Sequence, residues 1–157
     1  MLLEAGEQLY LTQQLGLSFT VQHQYNLFRI AGEDGDAIGL EPVILTFDDV
    51  QPGAVNEAHI WQVLCRCYDP EISLNIVDLG LVYKALTYIR DDGENVVEIT
   101  MTLTAAGCGM GPILMKDIEA QLYKVPNVDI VQITLVFDPP WNKSMISAAG
   151  KLTLGLL

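Results

Sequence analysis

The sequence has few basic residues. Eight lysines and arginines stand against 20 aspartates and glutamates in 157 residues, which gives a formal net charge of -12. A field of that sign repels phosphate backbones and anionic lipid, so we expect neither nucleic acid nor a membrane surface as a partner. The acidity is also what keeps an apolar protein soluble, and charge alone therefore does not name a ligand.

Long hydrophobic runs are missing as well. Half of the residues are hydrophobic and 18% are charged, a balance typical of a folded domain rather than a disordered chain. No apolar run approaches the roughly 20 residues that a membrane-spanning helix needs. The first residues lack the basic and apolar segments of a signal peptide, and the first charge is that of Glu4. We therefore expect a cytoplasmic protein.

Cysteine and histidine are scarce, at three and two residues. An odd cysteine number without an export signal predicts reduced thiols rather than disulfides. His23 and His59 have no partners at zinc-site spacing, so a preformed zinc site is not expected. Two residues apart on a predicted helix, Cys65 and Cys67 would point roughly 200° from each other and could not bind one ion. Cys67 falls on the apolar stripe of that helix and is predicted to be core.

The pattern of hydrophobic residues predicts an N-terminal extension, partly β, over residues 1–53 and an α+β domain over residues 54–157. In the extension, strands are predicted at 18–22 and 27–31. The elements predicted for the domain, in chain order, are a helix capped by Asn56 over 57–68, strands over 81–89 and 96–104, a helix over 112–123, a strand over 129–137 and a short helix over 144–152. The two adjacent strands form a hairpin, and strand, helix and strand then give a parallel crossover. The expected fold is a two-layer domain whose small mixed sheet is covered by helices on one face.

A glycine-rich loop, AAGCGMGP over residues 105–112, joins a predicted strand end to a predicted helix start. Cys108 in this loop precedes the helix N-terminus, whose partial positive charge favours the thiolate that binds metal ions or attacks electrophiles. A tight turn with a small, half-buried cysteine is the other interpretation. The position of Cys108 before the helix makes it a candidate reactive thiol, but this position alone does not distinguish a reactive thiol from a cysteine that merely fits a tight turn.

Three carboxylates and one tryptophan are further candidates. Asp69, Glu71 and Asp78 lie in the predicted loop between the first helix and the first strand of the domain. They could shape a site, or Asp69 and Pro70 could end the helix and cap a turn. Trp141, after two prolines, either covers the core or is exposed for a partner.

Four segments together resemble the small iron–sulfur-assembly domain of SufT proteins and PaaD-like accessory factors. They are DPE at 69–71, NIVDLGLVY at 75–83, the threonine-rich strand leading into Gly107 and Cys108, and DPPW at 138–141. The similarity runs from about residue 56 to the C-terminus, and the GCGMGP loop with an N-terminal extension is most similar to SufT proteins. The resemblance places Cys108 at the position of the family's key cysteine. It places the following residues at other motif positions: Asp69, Glu71, Asp78, Thr102, Thr104, Gly107 and Trp141.

The resemblance implies an auxiliary factor, not an enzyme, that assists cluster transfer through Cys108. The implied partners are the iron–sulfur assembly machinery and client apo-proteins. A cubane cluster normally takes four thiolates, and this chain offers one credible ligand. We therefore expect at most a transient cluster that is shared with a second protomer in a homodimer, a partner or a small thiol.

Two alternatives stay open. One is a metal-free adaptor that docks clients through Trp141 and the acidic surface. The other is a thiol enzyme with Cys108 as nucleophile, for which the sequence shows no evident base.

Overall fold

The computed structural model describes residues 3–104, 109 and 111–156. These residues form two three-stranded sheets and several helices, so the predicted α+β class is confirmed. The elements are β1 (Tyr10–Leu15), β2 (Ser18–His23), β3 (Asn26–Ala31), a 3-10 helix (Gly32–Ile38), α1 (Glu57–Leu64), β4 (Val82–Ile89), β5 (Asn95–Met101), α2 (Gly111–Leu122), β6 (Ile130–Leu135), a 3-10 helix (Lys143–Met145) and α3 (Ala148–Thr153). None of the helices among them is long and apolar enough to cross a membrane.

The second sheet has the predicted mixed topology. Strand β5 lies in its centre, paired antiparallel with β4 and parallel with β6. Helix α2 makes the crossover from β5 to β6, as strand, helix and strand in this order require. This crossover places the chain between β5 and α2 at the carboxyl end of the central strand.

The core lies between this sheet and the helices because β5 alternates apolar and polar residues. Val97, Ile99 and Met101 are fully buried, whereas Glu98 and Thr100 are half-buried on the opposite face. The helices contribute the remaining buried apolar stripe, made of Ile60, Val63, Leu64, Leu114, Ile118 and Leu122. The predicted cap of α1 is present, since the side chain of Asn56 accepts from the amide of Ala58 at 3.0 Å.

Helix α1 ends at Leu64, so the predicted end at residue 68 is wrong. The amides of Arg66 and Cys67 each donate to the carbonyl three residues earlier, at 2.9 and 3.2 Å, which tightens the last turn. Tyr68 then pairs with Asn75 in an isolated β-bridge. The apolar pattern continued past the helix because Cys67 is buried by the following loop. Its predicted place in the core is confirmed.

Other boundaries also differ from the prediction, and the largest differences are those of β5 and of the C-terminal helix. Strand β5 ends at Met101, three residues before the predicted end, although the amide of Thr102 still donates to the carbonyl of Leu81 at 2.9 Å. The predicted helix over 144–152 is split by Ile146, whose φ of -65° and ψ of 132° are extended. Ser147 then caps α3 by accepting from the amide of Gly150.

The N-terminal residues form a sheet with the order β1-β2-β3, antiparallel throughout. The two predicted strands are present as β2 and β3, and β1 was missed. Its sequence YLTQQL buries only Gln13, so it lacks the apolar alternation from which strands are predicted.

The N-terminal sheet packs directly on the loop that follows α1. The amide of Leu17 donates to the carbonyl of Arg66 at 3.1 Å, and the side chain of Gln13 donates to the carbonyl of Asp69 at 2.8 Å. Leu17 belongs to the main hydrophobic core, and three side chains of the irregular segment before α1 pack against that core: Val43, Leu45 and Phe47. The segment from residue 13 to residue 47 is therefore held against the rest of the domain by contacts at several points.

Candidate functional site

The end of β5 and the start of α2 frame the loop that carries Cys108. Gly111 opens the helix so close to the strand end that an added Cβ would lie 2.6 Å from Cδ1 of Leu103. A larger residue at position 111 would require the end of the Leu103 side chain to move, so Gly111 leaves room for Leu103 beside the helix start. Gly107 and Cys108 themselves lie outside the described residues, so their predicted roles stay predictions.

Thr102 lies at the base of this frame. Its side chain is buried, and its Oγ1 has no hydrogen-bond partner among the residues that the structure describes. Leaving a buried hydroxyl without a partner costs about 1–3 kcal/mol. Thr104, two residues further, is half-buried. Thr102 is thus a donor without a partner in the described part of the chain, at the strand end from which the loop departs.

Asp78 ties the loop before β4 to the C-terminal helix. One carboxylate oxygen accepts from the side-chain amide of Asn75 at 2.8 Å, and the other accepts from the hydroxyl of Ser147 at 2.7 Å. Ser147 is also the N-cap of α3. Removing the Asp78 carboxylate would therefore loosen both segments together.

Trp141 covers the core, which is one of the two alternatives that the sequence left open. Its indole N–H donates to the carbonyl of Leu79 at 2.7 Å, and its ring packs half-buried against the hydrophobic core. The hydroxyl of Tyr83 donates to the carbonyl of Pro139 at 2.7 Å. The motif segments 75–83 and 138–141 are thus brought together, next to the strand end that carries Thr102.

Asp69 and Glu71 lie elsewhere, beside the N-terminal sheet. The buried carboxylate of Asp69 accepts from the amides of Glu71 and Ile72 at 2.8 and 2.9 Å. This arrangement caps a turn, whereas the side chain of Glu71 is exposed. The sequence interpretation of Asp69 as a turn cap has a geometric basis, and a role for either carboxylate in a site stays a prediction.

The two described cysteines are poor ligands. Burial, with a smaller contribution from the charge of Asp78, raises the pKa of the exposed Cys65 thiol. Burial, followed by the charge of Asp117, raises the pKa of the buried Cys67 thiol far more. Both residues therefore stay thiols near neutral pH. Within residues 3–104, 109 and 111–156, no group of three or more histidine, cysteine, aspartate or glutamate side chains could hold a metal ion.

A buried polar cluster between the N-terminal sheet and α2 was not predicted. The guanidinium of Arg29 donates to the carbonyl of Tyr68 and to the side-chain oxygen of Gln13, and its Nε lies 3.9 Å from the carboxylate of Asp117. Ser18 donates to the same carboxylate. One feature of the sequence could have indicated this cluster. Arg29 is the sole lysine or arginine in the first 65 residues.

Comparison with known sequences agrees with this geometry. A family profile described as "Iron-sulfur cluster assembly protein" matches residues 57–135, which include α1, the mixed sheet and the loop between β5 and α2. The chain belongs to this family.

Individual relatives are similar over the same domain. The "Fe-S protein maturation auxiliary factor SufT" of Staphylococcus aureus is 40% identical over 88 residues, covering 56% of this chain and 96% of the relative. The "Fe-S protein maturation auxiliary factor" of Porphyromonas gingivalis is 39% identical over 101 residues, covering 64% of this chain and 92% of the relative. A solved domain of unknown function, DUF59, from Bacillus anthracis superimposes with a TM-score of 0.55 and 34% identity, covering 64% of this chain and 92% of that one. More than a third of this chain therefore lies outside each of these matches.

Proposed function

We propose that this protein is a non-catalytic auxiliary factor in the maturation of iron–sulfur proteins, acting in the cytoplasm through Cys108. The observation that carries the proposal is the position of the Cys108 loop between the end of β5 and the start of α2, in a chain whose relatives are named as maturation factors. Partners would be the iron–sulfur assembly machinery and apo-proteins that receive the cluster.

The frame around the loop suits a transferred cluster. Helix α2 is 12 residues long, and its first backbone N–H groups have no partner within the helix. These groups and the helix dipole favour an anion at the loop, either a thiolate or a cluster with thiolate ligands. The hydroxyl of Thr102, which has no partner among residues 3–104, 109 and 111–156, is one more donor at the base of the loop.

The cluster would be cargo rather than a resident cofactor. Cubane clusters normally take four thiolates, and the raised pKa values of Cys65 and Cys67 disfavour both as ligands. Cys108 would therefore supply one ligand while a client, a second copy or a small thiol supplies the others. A weakly held cluster of this kind can move to an apo-protein that offers a complete set of cysteines.

Complementation in cells tests the proposal. A strain without the gene would receive the wild type, Cys108→Ser or Cys65→Ser, and the activity of an enzyme that needs a [4Fe–4S] cluster would be measured. Cys65→Ser removes an exposed thiol outside the loop and is the matched control. We expect full activity with the control and a severe loss with Cys108→Ser. Equal activity in both variants would contradict a role for the Cys108 thiol.

A thiol enzyme is less well supported. Nε2 of His59 is engaged with the carbonyl of Asp48, and Nε2 of His23 lies 3.6 Å from the carboxylate of Glu7. Nδ1 of each ring is buried and has no hydrogen-bond partner among the residues that the structure describes. Both histidines lie on β2 and α1, however, and not on the strand and helix that frame the Cys108 loop, so these elements place neither ring as a base for this cysteine. Turnover of an electrophilic substrate analogue with covalent labelling of Cys108 would revive this alternative.

A further inference from the structure

The first strand of the N-terminal sheet, β1, is an edge strand whose outer side pairs with no other strand in the described part of the chain. It lies at the outside of the order β1-β2-β3, and five of its six residues are exposed. The exposed side chains include Tyr10, Leu11 and Leu15, which are 63%, 43% and 39% exposed. Natural edge strands often carry a charge or a proline that prevents pairing with another chain. The sequence YLTQQL has neither.

The other edge strands of the two described sheets each have a feature that β1 lacks. Strand β3 contains Arg29, and β4 contains the exposed Lys84. In β6 the amide of Val131 donates to the hydroxyl of Tyr123 at 3.2 Å, so a backbone donor of that strand is already bonded. Strand β1 is therefore the edge that is most open to pairing with another chain.

The ladder between β2 and β3 shows which backbone groups of β2 are left for β1. The amide of Gly32 donates to the carbonyl of Leu17 at 2.7 Å, which continues the register of β2 with β3. Hydrogen-bonded and non-bonded pairs alternate along an antiparallel ladder. Phe19 and Val21 therefore also bond to β3, and their backbone groups do not point towards β1.

The residues opposite these two on β1 are Gln14 and Leu11. Because their partners on β2 bond to β3, the N–H and C=O groups of Gln14 and Leu11 point away from β2. A β-bulge shifts the register between Leu11 and Gln13, which is why the two positions are three residues apart rather than two. The outer edge of β1 thus offers two bonding positions, Leu11 and Gln14.

These two positions match a second copy of the same strand. When a second β1 runs antiparallel across a two-fold axis through the middle of the strand, Leu11 lies opposite Gln14 of the copy, and the same pair recurs on the other side of the axis. The outward N–H and C=O groups of each pair then face each other. In the same register Tyr10 lies opposite Leu15 of the copy. Exposed apolar side chains therefore meet, and no charge lies opposite another.

The charge distribution also favours a second copy at this surface. Residues 8–32 are the longest stretch of the chain without an aspartate or glutamate, whereas two chains of net charge -12 repel each other elsewhere. The carboxylates that flank this stretch, those of Glu7 and Glu33, each lie against a basic side chain, at 3.6 and 3.1 Å. One acid, Glu41, lines a cleft beside Gln14, so added salt should tighten the association by screening its charge.

We propose that β1 pairs antiparallel with β1 of a second copy, which joins the two three-stranded N-terminal sheets into one continuous sheet. The partner is this chain itself, and the interface lies in the N-terminal residues, outside the segment that the family profile matches. The inference goes beyond the proposed function and does not depend on it, because β1 and the Cys108 loop are separate segments that can be altered one at a time.

Sedimentation of the full chain over a concentration series tests the pairing. Tyr10→Lys combined with Leu15→Lys would place introduced lysines opposite each other at both ends of the interface. We expect this variant to raise the dissociation constant of the dimer about tenfold or more, although it lowers the net negative charge of the chain. Tyr10→Lys combined with Leu15→Glu would place opposite charges at the same sites and should keep the dissociation constant within about threefold of the wild type. The two positions are about 17 Å apart along one strand, so a difference between the two double variants arises between chains.

The matched control is Ile89→Lys, at a position of β4 that is 64% exposed, and it should dimerise as the wild type does. Amide hydrogen exchange should slow at Leu11 and Gln14 as the protein concentration rises, because these amides become donors. Cys108→Ser should also sediment as the wild type does, which keeps this test separate from that of the proposed function. The inference is overturned if the wild type stays a monomer at millimolar concentration, or if the two double variants have the same dissociation constant.

Discussion

Replacing Arg29 by methionine should destabilise the protein strongly, although Arg29 lies outside the segment shared with the family profile. The Arg29 side chain is 6% exposed, and that of its ion-pair partner Asp117 is 8% exposed. Methionine is of similar length but leaves the carbonyl of Tyr68 and the side-chain oxygen of Gln13 without this donor. Among the described residues, Ser18 would remain as the one side-chain donor to the carboxylate of Asp117.

The expected loss follows from this burial. Removing one partner of a buried ion pair costs about 3–5 kcal/mol, since the remaining charge stays buried without compensation. Native domains are stable by about 5–15 kcal/mol, so Arg29→Met would remove a large part of the total. The matched control is Arg90→Met, because Arg90 pairs with Glu94 at 3.8 Å but is 40% exposed. Its loss should be at most about 1 kcal/mol.

Urea unfolding followed by tryptophan fluorescence measures both losses. A double-mutant cycle with Asp117→Asn isolates the interaction between the two charges, and we expect a coupling of about 0.5–3 kcal/mol. The reasoning is refuted if Arg29→Met costs no more than Arg90→Met. That result would mean that the N-terminal sheet does not depend on the buried cluster for its attachment to α2.

Three further predictions concern the motif tryptophan and the thiols. Trp141→Phe should lower the free energy of unfolding by about 0.5–1.5 kcal/mol, because the ring is kept while the indole donor is lost; urea titration measures this, and no change would contradict the covering role. In a Cys108→Ser background, iodoacetamide should modify Cys65 but reach Cys67 only on unfolding, as peptide mass mapping would show. The alkylation rate of Cys65 should still rise above pH 9.0, since its pKa is raised from that value, and Asp78→Asn should move this profile to lower pH.

The architecture of residues 54–157 could be predicted because local patterns and chain direction determine it together. The alternation in β5 gives a half-buried strand, and strand, helix and strand in sequence leave only a parallel crossover. The end of α1 could not be predicted, since Cys67 continues the apolar pattern while tertiary contacts bend the chain. Strand β1 could not be predicted because its one buried side chain is that of Gln13.

The candidate site divides in the same way. The resemblance pointed to Asp78 and Trp141 as motif residues. The structure shows that Asp78 accepts a hydrogen bond from Ser147 and that Trp141 donates one to the carbonyl of Leu79. The pairing of Arg29 with Asp117 joins residues far apart in sequence, and no local pattern contains it. A groove lined by residues of β3 and α2 likewise forms only where the N-terminal sheet packs against that helix.

The most direct test of the central claim is anaerobic transfer of a cluster to an apo-enzyme. Wild type, Cys108→Ser and Cys65→Ser would be reconstituted with iron and sulfide, followed by absorption spectroscopy, and mixed with an apo-enzyme whose activity requires a [4Fe–4S] cluster. The account predicts that the wild type and Cys65→Ser carry a cluster and activate the client, whereas Cys108→Ser does neither. Activation of the client at the same rate by Cys108→Ser would contradict the account and favour a metal-free adaptor.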